Sequence, residues 1–495
     1  MKGQNQSTTV GQFSKTATRS AALPAALTRL VWLGWLLSLG VLATHLLTGA
    51  TWHPTNAVAV DGLTLVMWPA ITFFSGVVHS YSRRYMAGDR DVGRFFLRLF
   101  AFTIAVSVLV AADNVALFAA AWLAMGLVMA SLIGHVRGWP QARAASRVAR
   151  RYFLGSSALV AVALGVLWWG TGETTASGIA TAVDALPWST WAVAAGALLA
   201  AAAIQCALVP FHRWLLSSMT APTPASALMH AGFVNAGGIL LVRFAPVVTR
   251  DPAFMLLVAV VGATSALLGK LMKTVQTDVK GKLGCSTVGQ MGFMILQAGL
   301  GFFAAAITHL VLHGFYKAYQ FLASGSRVER TAPTETEAAA ETSLADWVAT
   351  GLTALAGGAV FALLTGEGTS LDGGVVLTLL VVVTTLHAAR TAVRQTSLPA
   401  TVRYGAVPLV YLPAIAVYAG VYRGVSAVMA TLPAVPAPAE LTVVHGVVAG
   451  AFVLAYVAVE TGTYRYSERL YVALLNATRP PASTLLTSRG EYDEY

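Results

Sequence analysis

The sequence predicts an all-α polytopic membrane protein of about 14 transmembrane helices, some of them discontinuous. Three observations carry this. Of its 495 residues 56% are hydrophobic and 11% charged, against roughly 25% charged in soluble domains. Apolar runs long enough to cross about 30 Å of hydrocarbon recur along the whole chain. The Lys and Arg residues gather at alternate junctions between those runs.

The chain opens on a polar stretch, MKGQNQSTTVGQFSKTATRS, with no A-x-A cleavage site behind it, so 1–26 is expected as a retained cytoplasmic tail. Apolar runs then fall near 27–48, 60–81, 93–112, 114–136, 152–171, 189–209, 222–245, 254–274, 283–299, 302–324, 346–365, 374–389, 404–428 and 441–460. They divide into a core over 27–326 and C-terminal helices over 346–460, followed by a cytoplasmic tail over 461–495. Between the two groups, 327–345 is expected as a cytoplasmic loop, with four Glu in a Thr/Ala background (ERTAPTETEAAAETS, 329–343).

A net charge of +11 raises the possibility of nucleic-acid binding, but the positions of the basic residues assign it to topology. With a cytoplasmic N-terminus they cluster at every second junction: Arg83/Arg84/Arg90/Arg94, Arg137/Arg143/Arg147/Arg150/Arg151, Arg213, Lys270/Lys273/Lys280/Lys282, Arg327/Arg330 and Arg390/Arg394/Arg403. The tails, with Lys2, Lys15, Arg19, Arg465 and Arg469, agree with this topology, whereas Arg243, Arg250, Lys317 and Arg423 depart from it. Both termini are therefore expected in the cytoplasm, and Glu173 and Asp184 outside.

No stretch is long and polar enough to form a soluble domain. The nearest approach to a phosphate loop, Gly262 to Gly269-Lys270-Leu271, has the wrong spacing and lacks the following Ser/Thr. Cys206 and Cys285 read as buried structural thiols, with no disulfide framework and no metal cluster. A transporter or ion-conducting subunit without cofactor, metal or catalytic residues is the expectation.

Three segments carry the chemistry. In 302–324 (FFAAAITHLVLHGFYKAYQFLAS), His309, His313 and Lys317 recur every four residues and share one helix face. An ionisable group at mid-membrane costs roughly 3 kcal/mol or more, so three in line suggest a proton or ion path; the alternative is packing histidines beside a snorkelling lysine. In 203–244, Pro210, Pro222 and Pro224 predict that the helix starting near 189 breaks near Pro210 and continues as a short piece through Met219. Such breaks persist in membranes where protein or a water-filled cavity surrounds them, and they mark ion sites. Gln205 precedes the break and His230 sits in the next span, as a proton relay or as a satisfied packing histidine. The third segment, QTDVKGKLGCSTVGQMGFM, sets Asp278 and Lys280 at a membrane edge and Ser286, Thr287 and Gln290 in the following span; alone it reads equally as a cytoplasmic turn.

Together VPFHRWLLSSMTAPTPASALMHAGFVNAGG, QTDVKGKLGCSTVGQMGF and HLVLHGFYKAYQFLASGS resemble the proton-translocating antiporter-like family, which includes the large membrane subunits of complex I and of multisubunit cation/proton antiporters. DGLTLVMWPAITFFSGVVHSYSRRYMAGD and RFFLRLFAFTIAVSVLVAADNVALFAAAW support the likeness, which covers about 60–326. It implies inverted five-helix repeats and a midplane polar axis. By position that axis takes His230, Asp278, Lys280, His309, His313 and Lys317, with Gln205, His212, Asp61 and His79 as accessory candidates.

The departures narrow the reading. Complex I members place Glu after the Trp of the ADN…W segment, where this chain has Leu123 after Trp122, and Lys five residues before the Pro of the PFH motif, where it has Gln205. Their later lysine motif is missing too, leaving only His387 and Arg390 near a helix end. With these losses the chain looks most like DabB-type membrane subunits of inorganic-carbon uptake complexes. That resemblance implies a bacterial inner-membrane subunit coupling a cation gradient, with H+ as the expected ion, to a large cytoplasmic DabA-like partner of the zinc-dependent carbonic-anhydrase kind. A respiratory dehydrogenase or antiporter subunit, and a scaffold with a vestigial axis, are the competing readings.

Overall fold

The protein is described as a computed structural model covering residues 15–327, 343–395, 399–433 and 438–484. The acidic stretch expected as a loop therefore lies almost wholly outside the described residues. Helix α1 (Lys15–Thr48) starts twelve residues before the predicted span, although its apolar part is Ala22–Thr48. A short antiparallel hairpin follows, β1 (Trp52–Thr55) and β2 (Val58–Val60), with Trp52 opposite Val60. The purely helical expectation missed it, because two strands this short leave no periodicity to read.

Helix α2 (Gly62–Tyr85) begins at Asp61, whose carboxylate accepts the Thr64 amide. Helices α3 (Val92–Ala111) and α4 (Val115–Ile133) join at Asn114, whose side chain accepts the Ala116 and Leu117 amides and so caps α4. Helix α5 (Pro140–Thr171) absorbs the basic run 143–151 into its first turns, with Pro at its N-terminal position. A short α6 (Ala176–Ala182) precedes α7 (Trp188–Gln205).

The predicted break is present. After Gln205 the chain leaves the helix, resumes as α8 (Arg213–Ser217), passes a 3-10 turn at Ser218–Thr220 and enters α9 (Thr223–Ala231) behind Pro222. The span predicted over 222–245 is present as Thr223–Arg243, but its helix is interrupted at Gly232, where φ is −130° and ψ −59°, and resumes after a 3-10 turn at Phe233–Asn235 as α10 (Ala236–Arg243). No proline marks this second break, so it carries no punctuation of its own in the sequence. The second break is almost wholly buried and the first is buried over Cys206–Leu208, with Pro210 exposed, so protein groups surround most of the freed backbone.

The short α11 (Ala245–Thr249) leads into α12 (Pro252–Thr274), which packs along α13 (Val279–Gly299). Their backbones touch through glycines. A Cβ on Gly262 would lie 2.3 Å from the Leu296 nitrogen, and one on Gly292 2.3 Å from the Ala266 nitrogen. Gly269 and Gly299 meet Gly289 and Ala259 in the same way. Small residues at such a seam allow the closest helix approach available in a membrane.

Helix α14 (Phe303–Leu322) packs on both α9 and α13. The remainder comprises α15 (Leu344–Thr365), α16 (Gly373–Gln395), α17 (Ala400–Met429), α18 (Val443–Thr461) and α19 (Glu468–Thr478). The last was expected as part of a tail, yet it is a helix with Leu474 buried and contacts α12. Among the described residues twelve helical segments are long and apolar enough to cross a membrane. The molecule is a multi-pass membrane protein. Helices α13 and α14, 21 and 20 residues long, stand outside that set because polar residues lower their hydropathy.

Candidate functional site

The site is built where α14 meets α13 and the broken α9. Lys317 is fully buried at 0% exposure, and its Nζ donates to the Leu283 carbonyl at 3.1 Å. Thr287, one turn further along α13, donates its hydroxyl to the same carbonyl at 3.0 Å. That commits the Thr287 proton. The His230 Nδ1 lies 2.9 Å from the Thr287 oxygen and must therefore be the donor, which places the imidazole proton on Nδ1 and leaves Nε2 bare. His230 Nε2 is buried without a partner, and the ring stacks on Phe321 at 4.3 Å between centroids. Lysine, carbonyl, hydroxyl and imidazole thus form one string across three helices.

His313 and His309 extend the string along α14. Their rings stack at 5.8 Å and 19°, and His309 also leans on Phe293 of α13 at 5.4 Å. His313 has Lys317, His309 and His230 as its electrostatic neighbours. The Nε2 atoms of both are buried and unpartnered. A row of imidazoles with vacant acceptors or donors can pass a proton along it, because each ring accepts at one nitrogen and releases at the other.

Asp278 and Lys280 sit apart from this string, at the start of α13. The Asp278 carboxylate caps the helix, accepting the Gly281 amide at 2.6 Å. Lys280 Nζ donates to the Met219 and Ala221 carbonyls, each at 3.3 Å, groups left over where the 3-10 turn ends. Gln205 ties the two breaks together through a 3.4 Å contact from Nε2 to the Phe233 carbonyl, and Asn235 returns a bond to Ala231 at 2.7 Å. These groups hold the interrupted helices in place.

The remaining candidates lie elsewhere. Asp61 forms a buried ion pair with Arg243, whose guanidinium also reaches the Val110 carbonyl at 2.5 Å. His79 bonds the Ser75 carbonyl at 2.8 Å and faces the Ser75 hydroxyl, itself paired with Thr103. Ser75 and Thr103 line a small cavity with Ala231, Gly232 and Leu310, so this second polar group abuts the break beside His230. His212 Nε2 lies 2.9 Å from the Ala477 carbonyl, fastening α19 to the break.

Two features escaped the sequence. One is the Gly232 interruption. The other is a cluster at Glu460, whose carboxylate is met by His387, Arg390 and Arg394 while Lys270 meets the far side of His387. Its signal was a single acid in the apolar run 441–460. At a loop outside the spans, Glu367 accepts from Tyr422 at 2.7 Å and borders a cavity of about 300 Å3 with Phe302 and Ser426. Burial pushes its carboxyl above the usual carboxylate range. Among the described residues no group of three or more His, Cys, Asp or Glu is arranged to hold a metal ion.

The family profile described as NADH:quinone oxidoreductase/Mrp antiporter, transmembrane, matches residues 112–348, a range that holds every residue of the Lys317–His230 string. A second, described as NADH-ubiquinone oxidoreductase (complex I), chain 5 N-terminus, matches 47–96, and the two together take in more than half of the chain. The chain belongs to the proton-translocating antiporter-like family. Within it, the probable inorganic carbon transporter subunit DabB1 of Halothiobacillus neapolitanus is 37% identical over 289 residues, 56% of this chain and 52% of the relative. The Bacillus subtilis DabB is 37% identical over 300 residues, 60% and 58% of the two chains. Subunit L of the Escherichia coli NADH-quinone oxidoreductase is 36% identical over 276 residues, 54% and 44%. The matched region spans about half the length of these curated relatives. Among solved structures, the Mrp complex of Dietzia sp. DQ12-45-1b aligns with TM-score 0.54 and 25% identity, over 94% of this chain and 52% of that one. A chain of the archaeal membrane-bound sulfane sulfur reductase aligns with TM-score 0.58 and 15% identity over 95% and 99%, a likeness of fold.

Proposed function

We propose that this chain is the energy-coupling membrane subunit of an inorganic-carbon uptake complex, conducting a cation, H+, down its gradient to drive a carbonic-anhydrase-like cytoplasmic partner. The observation that carries the ion path is Lys317, wholly buried and held by one backbone carbonyl in line with Thr287 and His230. A buried amine on a single neutral acceptor has no fixed counter-charge, so its charged form is poised to be lost and regained as neighbours load. His313 and His309 supply the neighbouring carriers. The family supports proton translocation, and the DabB relatives support carbon uptake over the respiratory alternative. So do Leu123, on the exposed face of α4, and Gln205, which stand where complex I members carry a charged pair.

In this reading the hydration chemistry belongs to a zinc-dependent DabA-like subunit, and both termini of this chain face the cytoplasm of a bacterial inner membrane. Co-expression tests it. A carbonic-anhydrase-deficient cell should grow in air with this chain and a DabA-like partner, and not with either alone. Growth restored by this chain without a partner would sink the proposal. The respiratory or antiporter alternative is favoured instead if the purified chain carries quinone-oxidoreductase or antiporter subunits.

A further inference from the structure

Where α12, α16 and α18 meet, three side chains converge on one carboxylate and a lysine backs one of them. Glu460, with its side chain 4% exposed, accepts from Arg390 Nε at 3.0 Å and from Arg394 at 3.0 Å through Oε2. Its other oxygen, Oε1, lies 3.1 Å from His387 Nδ1, and the opposite ring nitrogen, Nε2, lies 2.8 Å from Lys270 Nζ. Arg390 is itself 2% exposed in its side chain and its guanidinium sits over the Trp347 ring, so it cannot swing away. Tyr456 closes the cluster edge-on to His387, and Lys273, one turn along α12, is the next cation.

The bonds dictate one another. An ammonium only donates, so His387 Nε2 accepts from Lys270; the ring proton is then on Nδ1, where it donates to Glu460. Arg390 and Arg394 pin the Glu460 carboxylate in place, so that it orients the ring as the acid of a triad orients its histidine. His387 keeps 29% exposure at the outer end of this arrangement. On the inner side Lys273 is a Coulombic neighbour both of Lys270 and of Lys317.

We propose that Lys270, His387 and Glu460 form a proton-transfer station that connects the buried lysine string to water, with His387 as the carrier. In the step, the Nζ–H bond of Lys270 breaks and an Nε2–H bond forms on His387, leaving a neutral amine and an imidazolium against the Glu460 carboxylate. With the neutral Lys270 amine turned aside, the Nε2–H bond breaks to a water at the exposed ring, which leaves as hydronium and restores the Nδ1–H tautomer against Glu460, and Lys270 is then reprotonated from the Lys273 and Lys317 side. The transfer from Lys270 to His387 itself needs no heavy-atom movement, because the 2.8 Å contact serves before and after it.

This rests on the ion-path reading, and the test separates the two. The full complex is reconstituted in vesicles with an internal pH dye, a proton gradient is imposed, and flux is normalised to folded complex. His387→Gln should lower flux by about a hundredfold, and added imidazole should restore a substantial part of it in His387→Ala, a rescue that a purely structural role would not permit. Wild-type flux in His387→Gln with Lys317→Ala silent overturns the station and leaves the string. Wild-type flux in both overturns the ion path with it. A His387→Ala loss that imidazole cannot repair also overturns the station.

Discussion

Arg243, at the last residue of α10, is paired with Asp61, the residue that caps α2. The pair is nearly dry, with side-chain exposures of 5% and 11%, and Arg243 also holds the Val110 carbonyl at the end of α3. It therefore locks the far end of the interrupted helix to two continuous ones. Removing one partner leaves the other charge buried. Asp61→Asn should cost about 3–5 kcal/mol, and Asp61→Leu with Arg243→Met much less; the midpoints of thermal unfolding in lipid report the order. Equal loss in the single and double variants would refute the account.

Lys317→Ala should abolish cation flux and carbon uptake while the chain still inserts, since truncation removes a buried charge from an apolar helix. Lys317→Arg should also be silent, because a guanidinium stays protonated at any accessible pH. Flux in vesicles together with surface-independent quantification of folded protein checks both. Normal flux in Lys317→Ala would make the row on α14 structural.

Thr287→Val keeps the side-chain shape and removes the hydroxyl that links His230 to the Leu283 carbonyl. The His230 Nδ1–H then loses its acceptor, at about 1–3 kcal/mol. Flux should fall and Thr287→Ser should recover it. Full flux in the valine variant would show that the string is not used.

Glu367 carries a pH signature. Burial is the larger influence and raises its carboxyl above the ordinary 4.5, against the weaker pull of the Tyr422 hydrogen bond. A carboxyl raised in the folded state favours folding fully below its unfolded value, and that contribution is lost as pH climbs through the raised one. Unfolding temperature should therefore decline with pH just above 4.5, and Glu367→Gln should flatten the decline.

Gly292→Ala should disrupt folding, since its Cβ would meet the Ala266 nitrogen at 2.3 Å, a backbone atom that cannot yield; overpacking of this kind costs about 1–3 kcal/mol or more. Gly196→Ala, with nothing within 4 Å, is the control and should be neutral or slightly stabilising. Yield of monodisperse protein after extraction separates them.

The membrane-spanning helices and the His309–His313–Lys317 row were legible because hydropathy and a four-residue spacing are local properties of the chain. The Pro210 break was legible because proline removes a donor and clashes with the preceding turn. The Gly232 break was not, since glycine in a membrane helix is common and only its neighbours decide whether it interrupts. Asp61 and Lys280 were read by their position in the family motifs; which guanidinium or carbonyl each meets depends on helices far away in sequence. Glu460 was invisible for the same reason, its partners His387, Arg390 and Arg394 lying on another helix 66 to 73 residues upstream.

The glycine seam between α12 and α13 has a mechanical meaning. Backbones in direct contact have no side-chain layer to deform between them, so one helix cannot creep past the other. Leu283 and Thr287 at one station and Lys270 and Lys273 at the other are thus mounted on a single stiff beam without backlash. Both stations lie at the turn end of this pair, where Gly269 meets Gly289, so movement of one is carried to the other by backbone contact, and compliance is left to the two interrupted helices that flank it.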